Sequence, residues 1–188
     1  GKVTLDARGD VVLTDEALID VSGRAVAFND VTKYAAGGDV LLESRTGNVL
    51  QAAGSTINLS ATYNQAGKLR AVAVDSGAGI VDLAGKILGS SSGVYDAGGT
   101  WVPYLAGAVE IQAQRLGASA SLNEQFAALN QRLNQGEVFG ARSFQIKQGD
   151  LVIGNDVKAN NVSVSLDNGS LRVTGRVDAS GERVGTNA

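Results

Sequence analysis

The chain has 188 residues, of which 44% are hydrophobic and 19% charged, with a formal net charge of −3. That length supports one substantial core, and the charge balance provides neither a basic field for nucleic acid nor a polybasic stretch for a lipid surface. The absence of Cys and His excludes disulfides, Ser–His and Cys–His nucleophile pairs and the usual zinc ligand sets.

Strand-like runs begin at once. KVTL (2–5), VVL (11–13) and LIDV (18–21) are followed by DVLL (39–42), TINL (56–59), RAVAV (70–74), GIVDL (79–83) and AVEIQA (108–113). Each is short, rich in Val, Ile or Leu and mostly alternating, the period-two pattern of a half-buried strand. Gly, Asn, Asp and Ser punctuate them in ARGD, RTGN and DSGAG, the residues that turns require. No apolar run reaches the roughly 18 residues of a membrane span. Because the chain opens on Gly1 rather than Met, a piece of a longer protein is expected.

One phrase returns four times: ALIDVSG (17–23), TINLSA (56–61), GIVDLAG (79–85) and GRVDASG (175–181). Its reading is a strand plus its corner, with two apolar side chains turned inward, the polar one outward and small residues at the bend. From Ile57 to Val81 the return takes 24 positions, a length that suits one coil of a β-solenoid. Val, Ile, Leu and Ala at the inward positions can stack on identical neighbours ~4.8 Å away.

The segment GSSSGVYDAGGTWVPYLAG (89–107) holds the single Trp, the single Pro and two of the four Tyr, and is expected to protrude as a loop. Such loops on a rigid scaffold carry binding function. Trp101, Tyr104 and Tyr95 either stack on a ligand such as a sugar ring or pack the loop onto its support. Next comes the one helical pattern, SLNEQFAALNQRLNQG (121–136). Ser121 and Glu124 form a capping box, Leu122, Phe126, Leu129 and Leu133 make a stripe, and Gly136 stands where a left-handed cap belongs. This predicts a helix over about 122–135, packed on the flank of the coils.

The last part resumes strands: SFQIK (143–147), DLVIG (150–154), NVSVSL (161–166), SLRVTG (170–175) and RVDA (176–179). Taken alone, NVSVSLDNGSLRVTG reads as a hairpin turning at Asn168-Gly169. In a solenoid the same residues make a corner.

Acids are plentiful but sit beside Gly, Asn or Ser, where Asp bonds nearby backbone N–H groups. No cluster marks a catalytic pair, a calcium loop or a phosphate loop. No catalytic residue, metal or cofactor is assigned. Lys and Arg are scattered, Arg142 and Arg183 among them, and read as solvated faces and edge protection.

ALIDVSGRAV, GGDVLLESRTGNV and above all GARSFQIKQGDLVIGNDVKANNVSVSLDNGSLRVTGRVDASG resemble the filamentous-haemagglutinin-type exoproteins of Gram-negative bacteria. The resemblance implies a right-handed parallel β-helix, export through an outer-membrane partner barrel by two-partner secretion, and a place at the cell surface or outside the cell. It also implies work as an adhesin, biofilm matrix component or toxin carrier. The absence of Cys suits passage across two membranes unfolded.

The expectation is therefore an all-β chain, one right-handed parallel β-helix segment over 1–188 of six to eight coils of roughly 20–29 residues, with one flanking amphipathic helix. Its function would be structural or interactive within a secreted adhesin, meeting host or bacterial surface glycan or protein, with no nucleic-acid partner. A carbohydrate-binding module using Trp101, Tyr104 and Tyr95 is the first alternative. A polysaccharide lyase or hydrolase is the second.

Overall fold

The alternating runs do become strands, and almost all of them pair in parallel. The computed structural model describes residues 1–119, 121–147 and 149–180; Gly181, which closes the fourth copy of the phrase, and Arg183 lie outside them. Six strands, Lys2–Ala7, Asp39–Ser44, Lys68–Ala73, Ala108–Ala113, Ala141–Ile146 and Asn161–Leu166, join in chain order into one parallel sheet. A second parallel sheet takes Val11–Leu13, Val49–Gln51, Ile80–Leu83 and Arg115–Leu116, and a third takes Leu18–Asp20, Thr56–Asn58 and Lys86–Leu88. The class is all-β with parallel sheets and a single helix.

In its first three passes the chain visits the three sheets in turn. Register then stacks like on like: Val3, Val40, Leu69 and Val109 form one inward column of the long sheet, and Leu5, Leu42, Ala71 and Ile111 the next. Val40, Leu42, Leu69, Ile111, Val49, Val81 and Ile57 are all buried, and each full burial of such a side chain contributes roughly 1.5–3 kcal/mol. Strands of the long sheet begin 37, 29, 40, 33 and 20 residues apart. The wider spacings than expected come from insertions: antiparallel hairpins at Ala25–Phe28 with Val31–Tyr34 and at Val94–Tyr95 with Trp101–Val102, and the helix.

The repeated phrase is less specific than its wording suggests. Leu18–Asp20 does stack on Thr56–Asn58, but Ile80–Leu83 joins the second sheet, and Val177–Asp178 pairs with Val157–Lys158. The phrase encodes a strand and a turn, which every corner needs. Asn168-Gly169 closes no hairpin. The strands on either side, Asn161–Leu166 and Leu171–Val173, pair in parallel with the preceding pass, and a Cβ on Gly169 would lie 2.0 Å from the Gly149 carbonyl.

The helix, Leu122–Gln135, has the expected capping box between Ser121 and Glu124. It does not lie on the flank. Towards the earlier pass, Arg132 Nε donates to Leu83 O (3.0 Å) and Gly89 N–H to Gly136 O (2.7 Å). Towards the later one, Val152 N–H donates to Asn123 Oδ1 (2.7 Å) and Asn134 Nδ2 to Asp156 O (2.9 Å). These bonds tie both sides of the helix to the backbone of the passes they meet, so the helix is held inside the stack, with Phe126, Leu129 and Leu133 buried. Gly136 is not left-handed (φ −86°); Glu137 is (φ 56°). Gly136 is needed for closeness, because a Cβ there would lie 1.7 Å from Ile87 O. Among the described residues no helix is long and apolar enough to cross a membrane.

Candidate interaction surface

Five of the six strands of the long sheet follow directly on a glycine: Gly1, Gly38, Gly67, Gly107 and Gly140. Passes approach so closely here that a Cβ on Gly38 would lie 2.2 Å from Gly1 O, and one on Gly67 would lie 1.9 Å from Gly38 O. This column of glycines was readable in the sequence as a Gly before each of those strands. It leaves the corner bare of side chains, so what projects there comes from the segments just before it.

Three of those segments, at 21–38, 59–67 and 89–107, come from successive passes and touch. Ala61 bridges to Ser91 in parallel, Ser91 Oγ donates to Asn64 O (2.8 Å), and Ser92 Oγ accepts from Tyr63 N–H (2.9 Å). Asn64 Nδ2 reaches the other way, to Tyr34 O (2.8 Å). The Tyr34 and Tyr63 rings meet edge to face at 4.9 Å, and those of Tyr95 and Trp101 at 4.8 Å. With Phe28 and Tyr104, six of the chain's nine aromatic residues belong to these segments. Two of the other three, Phe126 and Phe144, are buried against each other.

The expected loop at 89–107 is a short hairpin with its return. Asp96 shapes its tip, accepting from the Gly98 and Thr100 N–H groups (both 2.9 Å). Tyr95 and Trp101 are cross-strand partners, and Tyr104 lies beyond the hairpin, half-buried. Trp101 lies across the Gly93 backbone, where a Cβ would come within 2.3 Å of its Cζ2, and its indole N–H is buried without a partner. Tyr95 is 68% exposed. Trp101 is thus mostly a packing residue, and Tyr95 the available ring. Tyr63, which carried no sequence signal, is 42% exposed with a left-handed φ of 50°, a backbone state that costs a side-chain-bearing residue about 1–2 kcal/mol. Beside the corner runs a groove of about 550 Å³, lined by Gln65, Leu105, Asp39 and Asn161 among others.

Many of the carboxylates are engaged structurally. Asp20, Asp75 and Asp178 accept from backbone N–H groups two residues on, as expected for turn formers. Others bond the next pass instead: Asp10 accepts from Asn48 N–H, Asp15 from Gly54 N–H and Asp150 from Ser170 N–H. On the outer face of the long sheet Glu110 binds Lys68 Nζ (2.7 Å) and Arg70 Nε (3.1 Å). The Lys68 hydrogen bond, with the nearby Lys68 and Arg70 charges, holds its carboxyl below the ordinary range. Among the described residues no three His, Cys, Asp or Glu side chains converge as a metal site.

Arg142 corrects the reading of scattered cations as solvated faces. It occupies the inward column below Val109 and is fully buried. Its Nε donates to Val138 O (3.0 Å), Nη1 to Asn130 Oδ1 (3.0 Å) and Nη2 to Asn134 Oδ1 (2.7 Å). Burial pushes its pKa down to about 10. The Val138 carbonyl and two amide oxygens take the place of a carboxylate.

Known proteins add nothing to this geometry: no family model, curated protein or solved structure matches the chain.

Proposed function

We propose that the chain is a segment of right-handed parallel β-helix within a secreted, surface-associated protein of the filamentous-haemagglutinin type, serving as shaft and as interaction surface. Parallel sheets built pass by pass support the architecture, and parallel crossovers are right-handed in about 98% of cases. Export through an outer-membrane partner barrel rests on the resemblance and on the lack of Cys. One observation carries the interaction role: all four Tyr, Trp101 and Phe28 come from the three adjoining segments of one corner. Phe28, Tyr63 and Tyr95 among them are exposed, and clustered exposed aromatics mark recognition surfaces.

The test is binding of labelled chain to fixed host and bacterial cells. The comparison is a variant in which residues 94–102 are replaced by a Gly-Ser turn, which copies the short corner of the previous pass. The variant should keep its β circular dichroism and lose most of the binding. Equal binding by both would remove the corner from the function. The 68% exposure of Tyr95 beside Trp101 favours a sugar-stacking role as the second reading. Trp101 is the only Trp, so a soluble polysaccharide that binds there must change its emission. An unchanged spectrum at saturating polysaccharide rejects that reading.

A further inference from the structure

The hairpin at residues 25–34 stands almost wholly in solvent. Every residue of Ala25–Phe28 is exposed, and in Val31–Tyr34 only Tyr34 is partly covered. Cross-strand register puts Val26 opposite Lys33 and Phe28 opposite Val31, so these four share one face. Val26, Phe28 and Val31 are 46%, 57% and 58% exposed, and the Lys33 ammonium lies over the Phe28 ring at 5.8 Å. A lone two-stranded hairpin is marginal in water, and this one spends three large apolar side chains on solvent.

Its two edges differ. Ala35 N–H donates to Arg24 O, which makes residues 24 and 35 a bonded pair. Alternation along an antiparallel ladder then makes 26/33 and 28/31 bonded pairs too. Ala25, Ala27 and Tyr34 therefore turn their N–H and C=O groups outward. On the Tyr34 edge that carbonyl already accepts from Asn64 Nδ2. On the other edge Ala25 and Ala27 have no such neighbour among the described residues, and the strand AVAF carries none of the Lys, Pro or bulge devices that protect edges.

We infer that this edge, Ala25–Phe28, is a self-association surface that pairs antiparallel with the same strand of a second copy, making a four-stranded sheet about a two-fold axis at Ala27. Hydrogen-bond parity allows this register, and side-chain placement and charge agree with it. Hydrogen-bond parity requires an outward residue to face an outward residue, and Ala27 facing Ala27 satisfies this. Side-chain parity then sets Val26 opposite Phe28 of the other copy, so the two apolar faces run into one. Charge agrees: antiparallel pairing brings Arg24 of each copy towards the Asn29-Asp30 turn that follows the other copy's strand, whereas parallel pairing would align like charges. Among the described residues Arg24 is otherwise held only by Asp20 at 3.9 Å. The contact is small, which places it among weak, reversible interfaces. The inference stands apart from the proposed function and needs no adhesin identity.

Sedimentation velocity of the full chain from about 1 μM to about 1 mM should show a reversible monomer–dimer equilibrium. Arg24→Asp and Asp30→Arg should each weaken dimerisation about tenfold, and the double variant Arg24→Asp/Asp30→Arg should restore it. Ala27→Pro removes only an outward N–H, so it should abolish the dimer while the hairpin persists. A monomer throughout overturns the inference. So does a dimer indifferent to Ala27→Pro, or a double variant no better than the singles. Open-ended polymers that ignore these substitutions would also overturn it, since they would report pairing of Lys2–Ala7 with Asn161–Leu166 at the ends of the long sheet.

Discussion

Of the three excursions that interrupt the regular passes, two are treated by the same chain in opposite ways. The helix at Leu122–Gln135 enters between neighbouring passes and is bonded on both sides, so Phe126, Leu129 and Leu133 become core. The hairpin at 25–34 leaves at a corner and meets the body mainly through Tyr34, so Phe28 and Val31 stay in water. Apolar content does not separate them, because AVAFNDV is no more polar than LNEQFAAL. What separates them is whether the insertion has a layer on each side. A layered insertion contributes stability, while a corner insertion contributes surface.

The largest test of that contrast sets one phenylalanine against another. Phe126→Ala removes a buried ring packed 4.8 Å from Phe144 and should cost about 3–5 kcal/mol in urea titration. Phe28→Ala should change monomer stability by no more than about 0.5 kcal/mol. Similar costs for both would mean that the hairpin is covered after all. The arginines extend the comparison. Arg142→Leu suits the apolar column but strips a donor from the Asn130 and Asn134 amide oxygens, so it should cost about 1–3 kcal/mol. Arg24→Leu on the hairpin side should be nearly silent in the monomer.

Much of the helix was legible because its signals are local: a capping box and a stripe at steps of four, three and four need no knowledge of neighbours. Its place inside the stack was not. Asn123, Gln131 and Asn134 carry no local sign of a partner, yet they bond Val152 and Asp156 of the later pass, which only the fold brings near. Strands were legible from alternation, but not the sheet each joins, since one strand-and-turn phrase serves every corner. Arg142 could have been found by phase, because Phe144 and Ile146 inward puts Arg142 inward too. The hairpin at 25–34 was missed, although Asn29-Asp30 between AVAF and VTKY is a turn between two β-rich runs. Trp101 and Tyr95 were singled out by composition and do meet, whereas Tyr34 and Tyr63 are paired only by the passage from one pass to the next.

Tyr63 sharpens the contrast at the corner itself. Its left-handed backbone (φ 50°) favours glycine, while its ring holds Tyr34 and thereby steadies the hairpin. Tyr63→Ala should lose the ring pair, worth about 0.5–1.5 kcal/mol, with the strain retained. Tyr63→Gly should be more stable than Tyr63→Ala by about 1 kcal/mol. If alanine and glycine give the same stability, the left-handed backbone stores no strain.

A small, condition-dependent effect belongs to a site between the two extremes. Glu110 on the outer face of the long sheet keeps about a quarter of its side chain exposed (23%) while binding Lys68 and Arg70. Its carboxyl is held below the ordinary value in the folded state, first by the Lys68 hydrogen bond and against a desolvation cost. A group with a depressed folded pKa stabilises the fold fully above its unfolded pKa, near 4.3 for Glu, and that contribution disappears as pH falls through the folded value. Glu110→Gln should therefore cost about 1 kcal/mol or less at pH 7, and the gap to the parent chain should close below about pH 4. Added salt should shrink the same gap at pH 7, since the pair is part-exposed. A gap that is constant with both pH and salt would mean Glu110 acts through packing, which would move this face of the sheet towards the helix's side of the comparison.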